Sequence, residues 1–154
     1  MLVSGGNRGI GREVCRQLVA RGDEVLLGAR APEKAAEAAR EVGAVPVVLD
    51  VTSDADARRV ADEVESRYGR LDVLVNNAAI TYDTWQRTAT ADLDVVRGAA
   101  ETNLYGPWRL VQAVLPQRAS ADRERVERGG AVGEHARLHA VEDRAERPDT
   151  DAGR

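Results

Sequence analysis

Residues 4–11 read Ser-Gly-Gly-Asn-Arg-Gly-Ile-Gly and follow a short apolar run, Met1 to Val3. Glycines at this density let the main chain turn sharply and come close to a phosphate. The helix that begins near Ile10 then aims unpaired N–H groups, and the positive end of its dipole, at the anion. Gly5, Asn7, Arg8, Gly9, Ile10 and Gly11 are the candidate residues of a phosphate-binding turn. A glycine-rich turn also occurs without a ligand; a strand before it and a helix after it are what favour a dinucleotide.

About 20 residues beyond such a turn, a site for NAD carries an acid that holds the ribose 2′-hydroxyl. That slot holds Ala29 and Arg30 here, and a second guanidinium, Arg8, sits inside the turn. Two converging cations suit a 2′-phosphate, which favours NADP(H) over NAD(H). The alternative is a pair of solvated surface arginines.

Such residues need strand ends and helix starts to hold them. Strand patterns fall at 1–4, 23–30, 44–51 and 71–79, and the last is apolar enough for a sheet buried on both faces. Helical patterns lie between them. Ile10, Val14 and Leu18 share helical spacing before Gly22, and Pro32 and Gly43 bracket the second helix. The third opens on an Asp-rich turn and carries Val60, Val64 and Tyr68 on one face; further helices are expected at about 89–102 and 104–117. This alternation predicts an α/β, Rossmann-like, doubly wound parallel sheet of about four strands, incomplete as it stands. The first strand is short enough to suggest a true start several residues upstream.

Length and composition set outer bounds. A chain of 154 residues makes one domain at most, and a net charge of −4 favours neither nucleic acid nor an acidic membrane surface. No apolar run is long enough to span a membrane, there is no secretory signal pattern, and the single cysteine, Cys15, cannot form an internal disulfide. A cytoplasmic location is the expectation, with no metal site.

Taken in order, these features resemble the short-chain dehydrogenase/reductase family. Ser-Gly-Gly-Asn-Arg-Gly-Ile-Gly stands where that family has Thr-Gly-x-x-x-Gly-x-Gly, with Ser4 for Thr. Asp50 and Val51 match its Asp-Val pair, implying contacts to the adenine amino group and ring. Asn76-Asn77-Ala78-Ala79 matches its Asn-Asn-Ala-Gly signature, with Asn77 and Ala78 carried over as cofactor contacts. Asn103, in Thr-Asn-Leu-Tyr-Gly, matches the active-site Asn. Arg8 and Arg30 resemble the basic pair of the NADPH-dependent, carbonyl-reductase-like branch. The resemblance covers residues 1–118 and implies hydride exchange between NADP(H) and a small carbonyl/alcohol substrate. In that family the 104–117 helix often helps form an oligomer interface, so a homo-oligomer through it is one expectation. Trp108 is ordinarily a core or helix-interface residue, and an exposed Trp108 would instead mark that surface.

The family's proton-handling pair, Tyr-x-x-x-Lys, is absent. The tyrosines are Tyr68, Tyr82 and Tyr105, and the single lysine, Lys34, lies far upstream in the second helix. Tyr105 with Arg109 falls too early in the family order to replace it. From Ala119 the character changes, and 119–154 has the composition of a disordered or weakly helical tail. Reading this tail with the first base of each codon dropped from Ala121 onward offers a cause. Codon choices exist under which 121–127 reads RIVNVSS and 137–154 reads AYTPSKTALNALTRTLA, a strand ending in Ser and then Tyr-x-x-x-Lys. A G+C-rich gene shifted this way avoids amino acids whose codons begin only with A or T. One such residue, Thr150, occurs in 123–154, against 23 in the first 118. The expectation is a frame displaced near 118–121. His135 and His139, at a spacing that could hold a metal on a helix, then read as products of an unselected frame. Three functions stay open: an oxidoreductase, a non-catalytic NADP(H)-binding module, and a remnant without ligand.

Overall fold

The computed structural model describes residues 1–80 and 87–115. Four parallel strands, β1 (Leu2–Ser4), β2 (Leu26–Ala29), β3 (Val45–Val48) and β4 (Leu74–Val75), form one sheet in the order β3-β2-β1-β4. Between them run α1 (Gly9–Ala20), α2 (Pro32–Val42) and α3 (Asp54–Tyr68). Each strand is shorter than its apolar run, because the ladder holds only where neighbours stay in register: Leu2 opposite Leu26 and Leu74, and Leu26 opposite Val45.

Alternation along the strands sorts side chains onto two faces. Leu2, Leu26 and Val47 pack with Val60, Val64, Leu110 and Val114 on one side. Val3 and Leu27 pack with Cys15, Ala38 and Ala39 on the other. The sheet is therefore covered on both faces, as the doubly wound pattern requires. Cys15 is fully buried, and that burial pushes its thiol up to about 11, so it is a packing residue with little thiolate character.

Two expectations need correction. The fourth strand's apolar run is covered on both faces only in part: Leu74 packs against one core and Val75 against the other, each half-buried, and among the described residues β4 pairs only with β1. An edge strand lacks the second neighbour that would cover it. The separate helices at 89–102 and 104–117 are instead one continuous run. After a 3₁₀ turn (Thr88–Thr90), α4 (Leu93–Ala100) passes through a π turn (Glu101–Tyr105) into α5, 106–115. The helix starts at Leu93 because the Asp92 carboxylate accepts the Asp94 N–H at 2.9 Å, a side-chain cap. The expectations for residues 119–154, including those for His135 and His139, lie outside the described residues.

Candidate cofactor cleft

In a sheet ordered 3-2-1-4, the helices after β1 and β4 leave on opposite faces, and a crevice opens beyond the strand ends between them. The cleft here lies at that switch point, with a volume of about 350 Å³. Its wall includes Gly5, Asn7, Arg8, Gly9, Ile10 and Gly11 from the first turn, Arg30 after β2, Asp50 and Val51 after β3, and Asn77 and Ala78 after β4. All of the sequence-derived cofactor candidates thus meet in one place. Ala29 and Ala79, already named in the ribose slot and the Asn-Asn-Ala-Gly match, also line it, as do Leu49, Ile80 and Thr102, which the sequence did not single out. Small and apolar wall residues carry no distinctive chemistry by which a sequence could single them out.

The first turn is shaped by close contacts. Gly5 has φ of +65°, in the left-handed region, and a Cβ on it would stand 2.8 Å from Ala78 Cα. A Cβ on Gly11 would stand 2.4 Å from both the Gly5 carbonyl oxygen and Asn77 Nδ2. Only glycine lets α1 start this near the turn. The start of α1 differs from those of α3 and α4. Ser53 caps α3 by accepting the Asp56 N–H at 3.2 Å, and Asp92 caps α4, whereas α1 has no side-chain cap and no acid in its first turn. Its leading N–H groups face the cleft without a carboxylate to compete, which suits an anion.

The turn is fastened to the far lip by Ser4 and Asn77. The buried Ser4 hydroxyl accepts the N–H groups of Asn77 and Ala78, each at 3.1 Å, and donates to the Val75 carbonyl at 3.3 Å. Asn77 Nδ2 donates to the carbonyls of Ser4 and Gly5, both at 3.1 Å. Two loops more than 70 residues apart in sequence become one rigid corner.

A family model for short chain dehydrogenase matches residues 1–126. The chain belongs to that family. It is 31% identical to the (+)-neomenthol dehydrogenase of Arabidopsis thaliana, over 81% of this chain and 51% of that protein. It is 36% identical to the 3-oxoacyl-(acyl-carrier-protein) reductase FabG of Salmonella typhimurium, over 74% of this chain and 47% of that protein. The chain thus spans about half the length of the curated relatives it matches. A short-chain dehydrogenase from Streptomyces avermitilis superposes with a TM-score of 0.71 at 36% identity, covering 78% of this chain and 44% of that one. A metagenomic short-chain oxidoreductase solved in complex with NADP gives 0.71 at 30% identity, covering 78% of this chain and 56% of the other.

Within this family frame the remaining candidates sort by position. Ile10, placed on the apolar face of α1 by spacing, is 78% exposed and lines the cleft instead of the core. Asp50 takes the Thr52 N–H at 2.9 Å and the Thr52 hydroxyl at 2.7 Å, both on Oδ1. Burial works against its charge, but those two bonds, with the positive charges of Arg30 and Arg109, hold the carboxyl below its ordinary range. Asn103 lies in the π turn and does not line the cleft; its amide instead holds the main chain of Ile80, which does. Tyr105, which falls too early in the family order to serve as the acid/base, is 50% exposed.

Proposed function

We propose that the cleft binds NADP(H), and that the protein belongs to an oxidoreductase exchanging hydride between that cofactor and a small carbonyl/alcohol substrate. The observation that carries this reading is the uncapped, acid-free start of α1 beside two arginines, Arg8 and Arg30, in one cleft. The group fits the residues present. The N–H groups around Gly9 to Gly11 suit the pyrophosphate, and the absence of Cβ atoms at Gly5 and Gly11 leaves the turn able to close on it. Arg8 and Arg30 suit the 2′-phosphate, and Asp50, whose Oδ1 is engaged by Thr52, suits the adenine amino group beside Val51. The NADP complex of a structural relative supports the choice.

When bound, the cofactor supplies or accepts hydride. The chain's own residues orient it: Ser4 and Asn77 fix the turn, and Asn103 fixes Ile80. A matching proton transfer needs an acid/base group tuned near neutral pH, and the sequence carries no Tyr-x-x-x-Lys. We therefore read the chain as a cofactor-binding body without turnover, with the missing pair encoded one base out of frame beyond about residue 118. The edge of β4, paired only with β1 among the described residues, supports a further strand there. Exposed Leu104, Trp108 and Leu115 on one helix support association with a second copy, and a cytoplasmic setting suits the inert thiol of Cys15.

The test is to sequence the coding DNA and to express the frame-corrected protein beside the chain as given. Both are expected to bind NADPH, and only the corrected one to reduce aldehydes or ketones. Carbonyl reduction by the uncorrected chain at a similar rate would overturn the account of the missing pair. Failure of both to bind NADPH would overturn the cofactor assignment.

A further inference from the structure

We infer that Arg109 is a positioning residue that holds the Val51 wall of the cleft in register with the π turn carrying Asn103. Neither the turn of glycines nor the 2′-phosphate arginines involve it, and it does not line the cleft. Its side chain as a whole is nonetheless 80% shielded, and its guanidinium forms contacts with three separate segments. Nη1 donates to the Val51 carbonyl at 2.9 Å, Nη2 donates to Glu101 Oε1 at 2.7 Å, and Nε pairs with Asp54 at the start of α3. A planar fork with donors on three nitrogens can make these bonds together; an ammonium cannot span them.

The π turn is what allows this. In a regular helix, residues eight apart point about 80° away from each other. The wider turn at Glu101–Tyr105 swings the preceding residues back, and Glu101 meets Arg109 across it. The pair brackets the segment holding Thr102, which lines the cleft, and Asn103, which grips Ile80. Backing comes from Gly106, where a Cβ would stand 2.8 Å from Val51 Cγ2. One helical run thus grips both lips: Val51 through Gly106 and Arg109, and Ile80 through Asn103. A π turn costs helix hydrogen-bond geometry, and the Glu101–Arg109 bracket is a physical reason for it to persist.

The experiment uses the full chain and has a ligand-free arm and a ligand arm, the second resting on the NADP(H) reading. The variants are Arg109→Met, which keeps the apolar stem, Glu101→Leu, Glu101→Gln, and Arg67→Met as a control at a surface pair. In the free protein, Arg109→Met is expected to raise amide exchange at both Thr52 and Ile80 about tenfold, with α1 and β2 unchanged. Glu101→Leu should raise it at Ile80, and Glu101→Gln, which still offers an oxygen to Nη2, should restore it. In the second arm, NADPH binding should weaken about tenfold in Arg109→Met and not in Arg67→Met. Wild-type exchange at both amides in Arg109→Met overturns the inference. Should Arg109→Met fail to fold, equal Ile80 protection in Glu101→Leu and Glu101→Gln overturns it instead. Failure of the chain and of its frame-corrected form to bind NADPH overturns the cofactor reading alone, because the ligand-free arm stands apart from it.

Discussion

Asn103 and Ile80 are joined as two strands would be. The Ile80 N–H donates to Asn103 Oδ1 at 2.9 Å, and Asn103 Nδ2 donates back to the Ile80 carbonyl at 3.1 Å. An amide side chain presents a donor and an acceptor at the spacing of a peptide unit, so it can close this ring where an acid or an alcohol cannot. Ile80 lies three residues beyond the Asn77 corner and lines the cleft.

Replacing Asn103 with Leu removes both bonds and is expected to cost about 1–2 kcal/mol, read from the urea midpoint. Asn103→Asp keeps the acceptor for the Ile80 N–H but turns a carboxylate oxygen toward the Ile80 carbonyl, so at neutral pH it should destabilise at least as much as the Leu variant. An Asn103→Leu chain as stable as wild type would show that the ring contributes nothing to holding the cleft.

Ser4 makes a sharper case, because its buried hydroxyl accepts from two part-buried amides at once. Ser4→Ala leaves the N–H groups of Asn77 and Ala78 without it and should destabilise by about 2–3 kcal/mol. Ser4→Thr retains the oxygen and should stay within about 1 kcal/mol of wild type. Equal loss in the two variants would point to sterics and not to hydrogen bonding.

Discrimination between cofactors should rest on Arg30. Arg30→Ala is expected to weaken NADPH binding about tenfold while leaving NADH within about twofold, since NADH lacks the 2′-phosphate. Binding of NADPH should also weaken with added salt more steeply in wild type than in the variant. Parallel losses for both nucleotides, measured by fluorescence titration, would remove Arg30 from the 2′-phosphate site.

Asp50 links the cleft to acid stability. Its folded carboxyl titrates below the ordinary value of 3.8, so its contribution is fully present above that value and is lost as pH falls through the lower, folded one. Asp50→Asn removes the titration. Melting temperature should therefore fall less steeply in the variant than in wild type below about pH 4. Superimposable profiles would mean that Asp50 is not held ionised by Thr52 and the nearby arginines.

Trp108 tests the association surface. It is 61% exposed, with Leu104 and Leu115 exposed at 55% and 53% along the same run. Trp108→Glu places a charge in that stripe, and light scattering should then report a smaller species than wild type. A wild-type chain that is already monomeric would end the proposal.

Much of this was legible beforehand because strands and helices leave periodic traces. The alternation of apolar runs and 3.6-residue spacing gave the βαβ order, and the glycine spacing located the turn after β1. What failed did so for identifiable reasons. Ile10 shares helical spacing with Val14 and Leu18, but spacing reports an angle around the helix, and at its first turn that angle faces the cleft. Leu74 and Val75 carry the residues of a central strand, yet burial depends on a neighbour that the apolar pattern cannot supply. The π turn reads in the sequence as a break between two helices, because its wider winding shifts the phase of the apolar repeat.

Local sequence alone determined the order of elements, the glycine turn and the chemical character of Arg8, Arg30 and Asp50, because those follow from backbone sterics and side-chain type. Tertiary structure alone decided that Ser4 would meet Asn77, that Asn103 would grip Ile80, and that Arg109 would reach Val51. Each of these contacts joins segments that only the crossover connections bring together. No short-range pattern encodes a partner at 23, 58 or 73 residues' distance.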